Sequence, residues 1–343
     1  MAVPLRTAVI TAAGEVELRR IPVPAVGDSD VLVRIAACGI CTMEANLYAG
    51  RMTVYPAAAG HEISGWVERV GATAAALEDM PAVGSLVTLD GLPRCGACRA
   101  CRRGQSAICV ALQGRVREAD GAIAMGTGLA DHIVLPASRV WPVGDTDPAV
   151  AAMGEPLACV VHSLRRGAFR AGDRVTVIGA GYMGHLHLAV ARELGARGVA
   201  VVERDEERAT AVAAAGADAV VRPEDIDQLA AADVVFVTIA SAECIAAALT
   251  AVADGGTIVL FGGAPDGPPA DLPGYEVHRR QLTVTGSFSH EPDDWRTAAE
   301  LLRRGTLAAR LERLVTARYG LDEVEKALKR ASETPVHRVV VTP

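Results

Sequence analysis

Three short segments of this sequence carry side chains that bind metals. Cys38 and Cys41 stand in C-G-I-C, His61 and Glu62 follow about twenty residues later in G-H-E, and Glu155 comes later in G-E-P-L-A-C. A catalytic zinc takes three protein ligands from cysteine, histidine and carboxylate side chains and keeps one position open. We therefore expect the three segments to converge on a metal at a cleft between domains.

A second set of cysteines lies in one loop. The stretch CGACRACRRGQSAIC spaces four cysteines as C-x2-C-x2-C-x7-C. Four thiolates can close a tetrahedral zinc site that stabilises a loop and does no chemistry. An iron–sulfur cluster is the competing interpretation, because thiolates also hold that group. The predicted ligands, in a lobe of about residues 91–112, are Cys95, Cys98, Cys101 and Cys109.

A glycine-rich turn follows an apolar strand in VTVIGAGYMGHLHLAV. Gly179, Gly181 and Gly184 form G-x-G-x-x-G, with Tyr182 and Met183 between the last two glycines. The first glycine makes the tight turn, the second lets a pyrophosphate approach the backbone, and the third lets helix and strand pack closely. The following helix offers free N–H groups to phosphate. The sequence predicts a dinucleotide site here.

The next strand, GVAVVE, ends in an acid. Glu203 lies about twenty residues beyond the last glycine, where a carboxylate can bind both ribose hydroxyls and repel a 2′-phosphate. This position favours NAD. Arg204 follows immediately and could accept a 2′-phosphate, so NADP stays open, and Arg208 is also assigned to the cofactor site.

Composition excludes several classes of protein. The net charge of −7 over 343 residues supplies no basic field for a nucleic acid. No apolar stretch is long enough to cross a membrane, and the N-terminus lacks the pattern of a secretion signal. We therefore expect a cytoplasmic protein with reduced thiols, in which clustered cysteines point to metal.

The chain changes character twice. Short β-rich runs occupy its first part, and from about Met153 strands and helices alternate as in a parallel sheet covered by helices. From about His290 the pattern is helices and a closing strand. These shifts predict an α/β dinucleotide-binding domain, residues 154–289, inserted into a discontinuous β-rich domain, residues 1–153 and 290–343.

The order of these motifs carries a family resemblance. C-G-I-C, G-H-E-x-x-G-x-V, the four-cysteine loop, E-P-L and G-x-G-x-x-G together resemble the zinc-dependent medium-chain dehydrogenases of the alcohol dehydrogenase superfamily, over essentially the whole chain. The sequence is most similar to their sorbitol and threonine dehydrogenase branch. The resemblance implies a Rossmann doubly wound parallel sheet inserted into a GroES-like catalytic domain, with two zinc ions per chain, NAD as cofactor, and a homodimer or homotetramer.

The resemblance also implies roles for the metal-binding side chains. Cys41 is the cysteine ligand of the catalytic zinc and Cys38 a buried neighbour. His61 is the second ligand, and Glu155 the third, directly or through water. Glu62 is a nearby carboxylate that can join the zinc transiently.

Family membership would further imply hydride transfer from a zinc-bound alkoxide to the nicotinamide. The stretch VTGSFSH, with Ser287 and Phe288, resembles the loop beside the nicotinamide. Arg338 lies where a basic side chain could meet the pyrophosphate.

The sequence departs from the family pattern in the proton relay. The usual serine or threonine two residues after the zinc cysteine is Met43, the next aspartate is Glu44, and a frequent histidine is Asn46. Methionine cannot pass a proton, so we hypothesise that a carboxylate or water takes the relay. The candidates are Thr42, Glu44, Glu62, His290 and a zinc-bound water.

The predicted function is an NAD(P)-dependent oxidation of a secondary alcohol in a polyol, sugar, cyclitol or amino alcohol. One alternative is a redox-neutral epimerase that retains NAD on the same scaffold, which the altered relay allows. The other is a non-catalytic zinc- and nucleotide-binding protein. The intact set of Cys41, His61 and Glu155 argues against that last class.

Overall fold

The computed structural model describes residues 4–113, 116–118, 121–263, 269–333 and 337–343. These residues divide into two compact units. The first comprises residues 1–158 and 290–343, and the second residues 159–289. The first boundary therefore falls a few residues later than the division between 153 and 154 that the sequence pattern indicates.

The first unit contains two β-sheets. Within the described residues, one sheet has the strand order β2-β1-β4-β7, and the other has the order β16-β17-β3-β5-β6-β9 with β8 paired to β3. Its strands are β1 Leu5–Ala12, β2 Glu15–Ile21, β3 Asp30–Ile40, β4 Ala57–Ala58, β5 Glu62–Val70, β6 Leu86–Asp90, β7 Ile123–Ala124, β8 His132–Pro136, β9 Val140–Pro142, β16 Val315–Gly320 and β17 Arg338–Thr342.

Six helices accompany these strands in the described part of the first unit. The cysteine loop also contains a short 3-10 turn, Ser106–Ile108. The helices are α1 Thr42–Tyr48, α2 Arg99–Arg102, α3 Pro148–Ala151, α9 Pro292–Arg304, α10 Ala308–Glu312 and α11 Val324–Glu333.

The central strands of the larger sheet bring distant parts of the chain together. β3 is antiparallel to both β5 and β17, and Gly39 is the partner of Glu62 on one side and of Val340 on the other. Along β3, buried side chains alternate with less buried ones at first, and every side chain is buried over the last four residues. Because both faces are covered there, side chains at the carboxyl end of β3 lie in a dry environment.

The second unit is a six-stranded parallel sheet with the order β12-β11-β10-β13-β14-β15. Numbered within the sheet, this order is 3-2-1-4-5-6, the arrangement of the doubly wound dinucleotide fold. The helix α4, Gly154–Arg166, leads into this unit. The other elements are β10 Arg174–Ile178, α5 Tyr182–Glu193, β11 Gly198–Val202, α6 Glu206–Ala214, β12 Ala219–Val221, β13 Ala232–Val237, α7 Ala242–Ala251, β14 Val252–Leu260, α8 Gly274–Arg279 and β15 Thr283–Gly286.

The predicted fold class is confirmed: a doubly wound parallel sheet and a discontinuous β-rich unit occur in one chain. Each unit has its own apolar core, built mainly from valine, leucine, isoleucine and alanine. Among the described residues, no helix is both long and apolar enough to span a bilayer.

Candidate metal and nucleotide sites

The structure brings Cys41, His61 and Glu62 together. Cys41 is the N-cap of α1 directly after β3, and the other two stand at the start of β5. The antiparallel register of β3 and β5 makes these chain positions neighbours. One ligand atom from each of the three residues lies within 4.8 Å of the others. A thiol, an imidazole and a carboxyl at this separation fit the donor set of a zinc ion.

Glu44 fixes the orientation of the histidine in this cluster. Its Oε1 lies 2.8 Å from Nδ1 of His61 and accepts the N–H of Gly60 at 3.0 Å. Its Oε2 accepts the N–H of Cys41 at 3.0 Å, which also caps α1. Because Nδ1 is taken by a carboxylate, Nε2 of His61 is the nitrogen left for a metal. Glu44 thus supports the cluster from behind and is itself fully buried.

Burial and neighbouring charge shift the pKa values in this cluster. Burial alone would lower the pKa of His61, but the Glu44 carboxylate and the Cys41 thiol raise it well above its ordinary range. Burial raises the pKa of Glu62 to about 7, against the opposing charge of Arg338. Burial also raises the pKa of Cys38, which disfavours the thiolate form that a metal needs.

Arg338 belongs to the first unit. The family resemblance instead implies a contact between this side chain and the pyrophosphate. Its Nη2 is 2.9 Å from Oε1 of Glu62, and its Nη1 donates to the Ile40 carbonyl at 2.6 Å. The side chain is buried. In this structure the guanidinium therefore neutralises Glu62.

Gly39 makes room for that ion pair. A Cβ at position 39 would lie 2.3 Å from Oε2 of Glu62 and 3.3 Å from Cδ of Arg338. Any larger residue would push the carboxylate away, because real Cβ atoms do not approach so closely. The glycine of C-G-I-C therefore allows the Glu62 carboxylate to stay in its present position beside Arg338.

Glu155 is not among the three side chains of the Cys41 cluster. Its Oε1 lies 3.4 Å from Nε2 of His290, and both side chains are buried. Its charge is close enough to contribute to the raised pKa of His61. The assignment of Glu155 as third zinc ligand stays a prediction.

Two of the relay candidates, Thr42 and Glu44, lie in the first turn of α1, beside the altered positions Met43 and Asn46. Thr42 is exposed, and Met43 and Asn46 are half-buried. Glu44 uses both carboxylate oxygens on His61 and two backbone N–H groups. His290 is fully buried with its Nδ1 occupied. These contacts leave Thr42, Glu62 and water as the candidates.

The four cysteines of the loop come together as the spacing predicts. Their sulfurs lie within 4.8 Å of one another, with separations of 3.5 Å for Cys98–Cys101, 3.5 Å for Cys95–Cys109 and 4.0 Å for Cys98–Cys109. A tetrahedral zinc with bonds of about 2.3 Å requires sulfurs about 3.8 Å apart. Backbone N–H groups lower the pKa of Cys98 to about 6, which favours a thiolate. The loop fits a four-thiolate zinc site.

The glycine turn in the second unit has the shape that a pyrophosphate needs. Gly179 has φ of +99°, and a Cβ there would lie 2.3 Å from Oγ1 of Thr238. A Cβ at Gly184 would lie 2.0 Å from the Gly179 carbonyl, so helix and strand pack in close contact. Among the described atoms, none lies within 4 Å of a Cβ built at Gly181, the N-cap of α5. This open space fits a phosphate approaching the backbone.

Glu203 is fixed next to this turn. Its Oε2 accepts the N–H of Ala180 at 2.7 Å, and its Oε1 accepts the N–H groups of Arg204 and Asp205 at 2.8 and 2.9 Å. The carboxylate is 7% exposed. This contact with the glycine turn places Glu203 where a carboxylate could accept hydrogen bonds from ribose hydroxyls.

The remaining predicted cofactor residues differ in exposure. Tyr182 and Ser287 are buried, Met183 and Arg208 are half-buried, and Arg204 and Phe288 are exposed. The hydroxyl of Ser287 has no hydrogen-bond partner within the described part of the chain. A buried hydroxyl without a partner is costly, so a ligand near it would be stabilising.

Sequence reasoning missed the side chains that support these sites. Arg94 and Glu291 connect the segment of His290 to the cysteine loop, and Trp295 donates a hydrogen bond to His290. A sequence-level signal existed only for Glu291, which precedes a proline at the start of a helical pattern, a position typical of an N-cap.

Comparison with known proteins gives consistent results along the chain. Residues 27–145 match the alcohol dehydrogenase GroES-like domain, and residues 183–304 match the zinc-binding dehydrogenase domain. The chain is 31% identical to L-threonine 3-dehydrogenase of Pyrococcus furiosus, with 93% of each chain covered. It is 28% identical to L-galactonate-5-dehydrogenase of Escherichia coli K12, over 91% of this chain and 90% of that one.

A solved structure extends the likeness to three dimensions. The zinc-binding dehydrogenase of Sinorhizobium meliloti 1021 bound to NADP has a TM-score of 0.85 with this chain, at 28% identity and 100% coverage of both. Sequence relatives and structure agree with the motif order of the chain. The protein belongs to the zinc-dependent medium-chain dehydrogenases of the alcohol dehydrogenase superfamily.

Proposed function

We propose that this protein transfers a hydride between a secondary alcohol and NAD(P), with a zinc ion held at the Cys41 cluster. The observation that carries the proposal is the convergence of Cys41, His61 and Glu62 within 4.8 Å, with Nδ1 of His61 fixed by Glu44. An imidazole held at one nitrogen by a buried carboxylate, with the other nitrogen left free, is typical of a histidine that binds a metal.

Cys41 and His61 would hold the catalytic zinc, with Glu155 as the third ligand and Glu62 as an exchanging carboxylate. Zinc at this position supplies a Lewis acid that lowers the pKa of an alcohol. Glu44 keeps the imidazole in place, and Arg338 compensates the charge of Glu62. The four cysteines of the loop would hold a second, structural zinc.

The second unit would hold the dinucleotide on its glycine turn. Bound NAD supplies the hydride acceptor, and the protein contributes orientation. Tyr182 and Met183 begin the helix whose N-terminus would face the pyrophosphate, and Ser287 and Phe288 would lie beside the nicotinamide. Glu203, held by three backbone N–H groups, supports NAD over NADP, while exposed Arg204 and nearby Arg208 would give the 2′-phosphate of NADP a basic partner.

The proton relay would run through Glu62 or ordered water. The occupied contacts of Glu44 and His290 argue against those two side chains as carriers. Thr42 is exposed at the helix start and could pass the proton to solvent. We further propose that the protein is cytoplasmic, since clustered thiols need a reducing compartment. We also propose that it forms a homodimer or homotetramer, and sedimentation velocity would test this assembly.

A substrate screen tests the function. The two relatives act, by their names, on threonine and galactonate. Both of these substrates are secondary alcohols that carry a carboxylate. We therefore expect turnover of an acid of this kind, or of a related polyol, sugar, cyclitol or amino alcohol, with NADH or NADPH formation followed by the absorbance of the reduced nicotinamide.

Cys41→Ser provides the negative control for this screen, and Cys38→Ala is its matched partner in the same motif. We expect activity to disappear in the first variant and to persist in the second. Full activity of zinc-depleted protein, or equal activity of Cys41→Ser, would contradict the proposal. Bound NAD that survives purification without net turnover would instead favour the epimerase alternative.

A further inference from the structure

His290 occupies a buried network of polar side chains within the first unit. It is 0% exposed and begins the segment that returns to this unit after residue 289. Its Nε2 lies 3.4 Å from Oε1 of Glu155 and 4.0 Å from Oδ1 of Asp90. Its Nδ1 receives Nε1–H of Trp295 at 2.9 Å and lies 3.0 Å from Nη2 of Arg94.

These contacts determine which ring nitrogen carries the proton. The indole of Trp295 and the guanidinium of Arg94 can only donate hydrogen bonds. Nδ1 of His290 must therefore accept, and the ring proton lies on Nε2. Since the acid nearest to Nε2 is Glu155, the histidine presents a donor to the carboxylate proposed as the third zinc ligand.

The network continues into the four-cysteine loop. Arg94 immediately precedes Cys95, and its Nη1 donates to the Ser106 carbonyl at 2.9 Å. The carboxylate of Glu291, the neighbour of His290, accepts the N–H of Ser106 at 2.9 Å and that of Ala107 at 2.8 Å. The loop is therefore joined to the segment that carries His290 through Arg94 on one side and Glu291 on the other.

We propose that His290 is a positioning residue that orients Glu155 for zinc, and that the four-cysteine loop sets the position of His290 through Arg94 and Glu291. The inference rests on the proposed function, because it assigns a purpose to the Glu155 carboxylate. A histidine that only filled space would not need two donors on one nitrogen and a carboxylate at the other. The loop would thus act on the reactive site as well as on stability.

The test compares three variants. His290→Leu removes both ring contacts at similar volume, and His290→Gln keeps one donor and one acceptor. Trp295→Phe removes the N–H donated to Nδ1 and keeps an aromatic side chain beside the imidazole, where the Trp295 ring now makes an edge-on contact with centroids 5.3 Å apart. The matched control is His132→Gln, because His132 also faces a glutamate, with Nε2 3.2 Å from Glu68, but lies outside the network.

The first readout is zinc per chain during dialysis against increasing dipicolinate, with Cys41→Ser identifying the step that belongs to the catalytic site. We expect His290→Leu to weaken that step by about 10–100-fold while the loop zinc remains. His290→Gln should recover most of the affinity, Trp295→Phe should lie between, and His132→Gln should match the wild type. The second readout is kcat against KM, in which kcat should fall most.

The outcomes separate the two proposals. Unchanged zinc affinity and kcat in His290→Leu and Trp295→Phe would overturn the positioning role. If His290→Leu fails to fold, Trp295→Phe decides, because it removes a donor to Nδ1 and leaves the imidazole itself in place. A wild-type protein that binds zinc only in the cysteine loop would instead overturn the proposed function.

Discussion

The four-cysteine loop and the Cys41 cluster are two predicted zinc sites built in opposite ways. The loop takes all its ligands from residues 95–109, and none of its first three cysteines is buried. The Cys41 cluster takes its ligands from the end of β3 and the start of β5, and its histidine and glutamate are buried. The loop uses one ligand type, and the cluster uses three.

The difference shows what each site requires from the fold. Backbone N–H groups within the loop itself contact the sulfurs, as in the bond from Cys98 N–H to Cys95 at 3.3 Å. The cluster instead depends on Glu44 and Arg338, which arrive from a helix and a distant strand. A local site can stabilise the chain around it, whereas a site with an open position needs a rigid fold to hold the ligands apart.

Removing a loop ligand should produce the largest effect, on stability. Cys98→Ser leaves three thiolates, and loss of the loop metal should lower the free energy of unfolding by more than about 4 kcal/mol. For a unit of this size the melting temperature would fall by about 8–16 °C. Calorimetry with zinc analysis measures both quantities. An unchanged melting temperature would mean that the loop needs no metal.

Removing a cluster ligand should act on activity instead. Cys41→Ser should lower kcat/KM by more than about 100-fold, while the loop zinc is retained. This loss exceeds the effect typical of side chains that only hydrogen-bond to metal ligands. The melting temperature should change little. Cys38→Ala serves as the control, because its buried thiol is disfavoured as a thiolate. Equal losses in the two variants would contradict the assignment of Cys41.

Glu44→Gln tests whether the cluster depends on its supporting carboxylate. The amide keeps the shape but loses the charge that faces Nδ1 of His61 at 2.8 Å. We expect about 10–100-fold weaker zinc binding or activity. Titration with a zinc chelator measures the change, and the loop zinc is the internal reference. A wild-type affinity would reduce Glu44 to a helix cap.

A buried histidine of the second unit should make the stability of the protein depend on pH, independently of the two predicted zinc sites. Burial lowers the pKa of His187 from 6.5 to about 4. Between these values the unfolded chain binds a proton that the folded chain does not, so stability falls as the pH falls from 6.5 towards 4. The loss between about pH 7 and about pH 5 should be about 2 kcal/mol.

His187→Leu should remove this dependence, and Ser163, which contacts Nε2 of His187, keeps its hydrogen bond to the Val160 carbonyl. Chemical denaturation at the two pH values measures the change. His278 is exposed, so His278→Gln is the control and should keep the wild-type change of unfolding free energy with pH. An identical slope in His187→Leu would place the titration elsewhere.

Met43→Ser should have the smallest effect. If Glu62 or water already carries the proton, restoring a hydroxyl should change kcat by less than about tenfold, below the usual contribution of a general acid or base. A solvent isotope effect on kcat would follow the same step. A large gain in alcohol oxidation would show that the natural chain has no substitute route.

The spacing of nearby residues in the sequence was enough to predict several parts of this structure. The four-cysteine loop and the G-x-G-x-x-G turn are visible because neighbouring residues act together. The strand alternation also indicated the parallel sheet. The role of Glu44 was missed, because its contact with His61 depends on the register of β3 and β5. The contacts of Arg94, Trp295 and Arg338 depend on packing in the folded chain, and no local pattern reports them.

The close approach at Gly39 couples the residue type at this position to that at position 62. A methyl group at this position would lie only 2.3 Å from Oε2 of Glu62, so an alanine would require the carboxylate to move from its present position, or to be shortened or lost. The glycine of the cysteine pair and the residue after the histidine should therefore change together during evolution. A chain that has kept both cysteines but replaced this glycine would be expected to handle its metal without the second carboxylate.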